Sequence, residues 1–83
     1  MSQHMDRFLS FNDLQMAHEQ LLDQRAQLGD AGDRTPEFWQ TVFDFARCAQ
    51  ATGALLDFSR DRRAAQNILD YWANTLYRAQ GQA

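Results

Sequence analysis

The stretch GDAGDRTPEFW, residues 29–39, carries a stop signal and a start signal for a helix within a few positions of each other. Gly29 can take the left-handed backbone that closes a helix arriving from its N-terminal side. Thr35, Pro36 and Glu37 then open the next one. They supply a capping residue, a ring whose missing N–H costs nothing in the first turn, and a negative charge on the positive end of the helix dipole. The connector between them is short and polar, so the two helices it joins must run antiparallel.

Upstream, Ser10 stands before FNDLQMAHEQLLDQRAQL as a cap, Asp13 adds charge to the first turn, and Leu9 and Leu14 have the spacing of a hydrophobic staple. On a 100° wheel Phe11, Leu14, Ala17, His18, Leu21, Leu22, Arg25 and Leu28 share the inner side of this first helix. Asn12, Asp13, Met16, Glu19, Gln20, Asp23 and Gln27 face out. Downstream, Phe38, Trp39, Val42, Phe43, Phe45, Ala46 and Ala49 give the second helix a broad apolar arc, and Gly53 stops it.

The segment ALLDFSRDRR follows, with Asp57 or Ser59 as the cap of a third helix and with Leu55, Leu56 and Phe58 expected to close one end of the core. From residue 60 to 79 the buried stripe is Ala65, Ile68, Leu69, Trp72, Thr75, Leu76 and Ala79. The opposite stripe is Arg63, Gln66, Asp70, Ala73, Asn74 and Tyr77.

The predicted fold is therefore all-α, an antiparallel up-down-up three-helix bundle with helices of roughly 18, 17 and 20 residues. A fourth short helix has room over residues 3–9 or within ALLDFS. Residues 1–9 read as a flexible leader, 10–79 as a single domain and 80–83 as a frayed tail. No strand-like alternation or internal repeat competes with this reading.

Eighty-three residues supply one core and little more. A net charge of −3 argues against nucleic acid, which calls for a basic face. No apolar run approaches the roughly 18 residues a membrane span needs, so no membrane role is expected. The single cysteine, Cys48, cannot form an internal disulfide, which points to a reducing cytoplasm. All eight basic residues are arginine, whose planar fork suits ordered polar contacts.

Reaction chemistry is not expected. One cysteine and two histidines, at positions 4, 18 and 48, have no metal-ligand spacing, and no glycine-rich phosphate cradle precedes a lysine. Cys48 shares its helix side with Glu37, Thr41 and Asp44, an acidic setting that holds a thiol protonated. His18 and Arg25, polar groups on an apolar face, call for partners within the fold. No cofactor and no enzyme activity are predicted.

The surface is more informative. Asp13, Glu19 and Asp23 lie on the outer side of the first helix, whereas Arg60, Arg62 and Arg63 cluster at the start of the third. A domain with an acidic face and a separate basic patch can associate head to tail, with its own kind or with a like domain. Tyr77, beside Asp70 on a polar stripe, fits an interface anchor. The predicted protein-contact residues are these: Arg60, Arg62, Arg63, Asp70 and Tyr77, with Asp13, Glu19 and Asp23.

The succession FNDLQMAHEQLL, TPEFW, ATGALLD and RRAAQNILDYWANTLYRA resembles the effector-associated, death-like helical adaptor modules found at the N-terminus of bacterial STAND-type NTPases, over residues 8–79. The resemblance implies a non-catalytic adaptor in a bacterial conflict or signalling system. Such a module joins a sensor NTPase to an effector by like-with-like contacts, as a homo-oligomer or with a related domain. The chain departs from that pattern in FSRDRR, which is more basic than the family's segment. With no NTPase segment in these residues, an isolated module or stand-alone adaptor is expected. Two other readings remain: a small DNA-binding regulator using the third helix for recognition, and a structural cap on a neighbouring domain that would cover Met16, His18 and Arg25.

Overall fold

The computed structural model describes residues 7–29 and 35–81. Three helices follow one another: α1, Phe11–Leu28; α2, Pro36–Gly53; and α3, Ser59–Gly81. Each packs on the other two. The bundle is antiparallel and all-α, with no strand among the described residues.

α1 begins as its sequence directs. The Ser10 hydroxyl accepts the Asp13 N–H at 3.2 Å, and the Ser10 carbonyl accepts the Leu14 N–H. It ends at Gly29, where φ is 64° and the N–H returns to the Arg25 carbonyl. α2 begins at Pro36, and Thr35 caps it through its carbonyl, which accepts from Phe38 and Trp39.

The end of α2 differs from the expectation. Gly53 does not adopt a positive φ; its place is one of close approach, since a Cβ there would lie 3.8 Å from the Ala65 Cβ of α3. The helix instead tightens into a turn, with Leu55 and Leu56 donating to the carbonyls of Thr52 and Gly53. Such three-residue closures satisfy the last carbonyls without a left-handed residue.

Leu14, Leu21, Phe38, Trp39, Val42, Phe45, Ala49, Ala65 and Trp72 form the core. Trp72 and Leu14 are its largest fully buried side chains. The wheel assignments hold for these, while Leu28 and Phe43, expected inside, are exposed at the bundle's margin.

Two further expectations are corrected. Leu9 and Leu14 form no staple: Leu9 is 86% exposed, and Phe8 turns inward in its place, its ring 5.7 Å from that of Phe45. The Phe8 N–H donates at 2.6 Å to the Thr52 hydroxyl, which itself donates to the Cys48 carbonyl. Packed ordering thus begins before the first helix. Leu55 and Phe58 do not close the core either, being 58% and 65% exposed; Leu56 alone of that trio packs against it.

No fourth helix forms over residues 7–10 or in the turn before Ser59, and residues 3–6 lie outside the described residues. So do the connector acids Asp30 and Asp33. α3 continues through Gly81, past the predicted end at residue 79.

Candidate protein-contact surface

α3 brings the predicted contact residues to the surface by its own period. Gln66, Asp70, Ala73 and Tyr77 recur at spacings of three and four, so they line one side of the helix. All four are exposed, Tyr77 at 78%. The Asp70 carboxylate accepts a hydrogen bond from the Gln66 amide at 3.0 Å, so the stripe is ordered two turns below the tyrosine. Tyr71 is only half out, with its ring edge-on to both Trp72 and His18.

The three arginines of the α3 start divide by role. Arg60 is almost fully solvated and reaches Asp61 at 3.7 Å, and Arg63 is exposed. Arg62 folds back: its guanidinium donates to the Leu56 carbonyl at 2.7 Å and to the Asp57 carbonyl at 3.4 Å. It therefore fastens the α2–α3 turn. Neither Asp57 nor Ser59 occupies the capping position of α3. Phe58 does, its carbonyl accepting the Arg62 N–H at 3.0 Å.

The acids of α1 also separate. Asp13, Glu19 and Asp23 are all exposed, but Asp13 continues the Ala17, Gln20, Gln24 stripe, whereas Glu19 lies around the helix beside His18. That stripe and the Thr41, Asp44, Cys48 stripe of α2 wall a groove of about 560 Å³ whose floor is Leu21 and Phe45. Asp44 holds the Gln40 amide and the Arg47 guanidinium. A second groove of about 590 Å³, between α2 and α3, is lined by Phe43, Ala46, Leu69 and Ala73 with Arg47, Asp70 and three glutamines.

The polar residues of the inner faces are accounted for. His18 Nδ1 accepts the Trp72 indole N–H at 2.8 Å, tying α1 to α3. An indole nitrogen only donates, so the histidine is neutral and carries its proton on Nε2. Burial lowers its pKa below the usual 6.5, and the nearby Glu19 carboxylate raises it by less. Arg25 is half-buried on the same face. Cys48, half-buried, lines the α1–α2 groove beside Thr41 and Asp44.

Among the described residues no three histidine, cysteine or acidic side chains gather as a metal site, and no helix is long and apolar enough to cross a membrane. Besides Leu28 and Phe43 on the helices, the surface features that sequence reasoning missed are Leu9, Leu55 and Phe58. Their apolar character in a stretch without helical period gave no signal that they face water. No family profile, no curated protein and no solved structure matches the chain.

Proposed function

We propose that the protein is a non-catalytic interaction module that associates with its own kind or with a like helical domain, its basic pole meeting an acidic face. The observation that carries this reading is the separation of exposed charge. Arg60, with Asp61 beside it, and Arg63 are exposed at the α3 start, while Asp13 on α1 and Glu37 and Asp44 on α2 are exposed along the flanks of the α1–α2 groove, Asp44 holding Arg47. Opposed patches on one small domain favour head-to-tail contacts, and complementary fields speed their formation.

The sequence resemblance to the adaptor modules of STAND-type NTPases supports the same class. On that reading the partner is the equivalent domain of an NTPase or of an effector. Tyr77 and Asp70 form a second, smaller contact stripe.

The test is a charge reversal that spares the turn. Arg63→Glu, at an exposed position away from the Leu56 and Asp57 carbonyls, is expected to weaken association at low salt by about tenfold, while helicity stays as in the parent chain. Unchanged association at low salt would rule the charged-patch mechanism out. Arg62→Glu is the poorer probe, because it also removes the hydrogen bonds that fasten the turn.

A further inference from the structure

At the pole where α2 hands over to α3, Leu55 and Phe58 project into water, and Leu9 joins them, one residue beyond the Phe8 N–H held by Thr52. Arg62 lies across the backbone of this turn, with Arg60 and Arg63 beside it on the first turn of α3. The pole is thus an apolar tip flanked by three arginines, with Asp57 and Asp61 among them.

Phe58 is the telling residue. It sits at the capping position of α3, where Ser, Thr, Asp or Asn would satisfy an orphan amide and where a large apolar residue is among the poorer choices. Its ring is 65% exposed, so it returns little to the core. A residue that breaks the local rule for its helix, with no compensation within the fold, marks a surface kept for something else.

We infer that Leu55 and Phe58 form a knob that seats in the α1–α2 groove of a second copy. This deepens, and rests on, the head-to-tail reading above by naming the apolar centre of the contact and the site that receives it. That groove has an apolar floor, Leu21 and Phe45 with Ala17, and an acidic rim: Asp44 in its wall, with Asp13 and Glu37 one turn beyond on the stripes that flank it. Around the knob three arginines outnumber Asp57 and Asp61, and around the groove Asp13, Glu37 and Asp44 outnumber Arg47, which Asp44 holds, so the surplus charges are of opposite sign and attract.

The α2–α3 groove is the poorer receiver. Asp70 and Arg47 both line it, and Arg62 lines its continuation toward the turn, so acid does not outnumber cation there. Because knob and groove are different surfaces of one chain, the contact is heterologous and leaves a free knob at one end of every open assembly and a free groove at the other.

That asymmetry supplies the test, carried out on the full chain by sedimentation velocity at low salt. Phe58→Ser removes the knob and improves the cap. Gln20→Arg, at an exposed position in the wall, puts a cation into the groove. Each variant alone is expected to self-associate about thirtyfold more weakly than the parent, the loss typical of a central aromatic anchor. Mixed in equal amounts, they are expected to form a 1:1 dimer and nothing larger, through the Phe58 of one and the intact groove of the other.

Parent-like association of Phe58→Ser, or a mixture that stays monomeric, would overturn the knob-in-groove contact. If Arg63→Glu lost association while Phe58→Ser kept it, the head-to-tail reading would stand and this one alone would fall. A parent chain that remains monomeric at all concentrations would overturn both.

Discussion

The middle of the bundle and the α2–α3 turn treat polar and apolar groups in opposite ways. In the middle, His18 and Trp72 reach across from different helices to satisfy each other, and among the described residues no buried side-chain polar atom lacks a partner. At the turn, two large apolar side chains stand in water while an arginine is spent on backbone carbonyls. The first region is built for stability, since an unmet donor in a core costs more than its bond returns. The second leaves large apolar side chains exposed at a small cost to the fold.

The comparison is broken most severely at Trp72. Trp72→Ala empties the centre of the core and strands the His18 acceptor, and is expected to cost about 3–5 kcal/mol. For a domain of this size, with a total stability of roughly 4–12 kcal/mol, that leaves little margin. Thermal or urea denaturation followed by circular dichroism measures it.

His18→Phe comes next. It keeps the ring stacking with Tyr71 and Phe45 but leaves the Trp72 indole N–H unmet, at an expected cost of about 1–3 kcal/mol. The same pair sets a pH dependence. Because burial depresses the His18 pKa in the folded state, the unfolded chain binds more protons between the depressed value and 6.5. Stability contributed by His18 is therefore fully present above pH 6.5 and falls as pH drops through that window. His18→Gln, which keeps an acceptor that does not titrate, should flatten the denaturation midpoint across it.

The smallest effect on stability belongs to the turn. Phe58→Ser exchanges an exposed ring for a better cap and is expected to leave stability within about 0.5 kcal/mol of the parent, or to raise it by up to about 1 kcal/mol. A loss of several kcal/mol in the same denaturation experiment would place Phe58 in the core after all, and the contrast between the two regions would vanish.

Much of the helical frame was legible in the residues. Ser10, Gly29 and the Thr35–Pro36 pair announce their boundaries by local chemistry, and the buried stripes follow from a period that any wheel displays. Apart from Leu28 and Phe43, which the wheel puts at the edge of an apolar arc and the bundle leaves at its margin, what escaped reading was non-periodic or non-local. Phe8, Leu9, Leu55 and Phe58 lie in short irregular segments, where an apolar residue looks like core whichever way the backbone turns it. Trp72 is the partner of His18 from across the bundle, and no spacing rule joins residues so far apart in sequence. Arg62 reads as a free cation until the turn's carbonyls are seen to converge on it. Gly53 reads as a left-handed stop, whereas its smallness serves the approach to Ala65.

The central claim, that the basic apolar pole is a contact surface for a like domain, meets its most direct test in sedimentation equilibrium of the unmodified chain at low salt and at about 1 M salt, where charges are screened beyond about 3 Å. The expected result is a weight-average mass that climbs with concentration at low salt and falls back toward the 9.6 kDa monomer at high salt. A mass of 9.6 kDa under both conditions, at every concentration, would contradict the account.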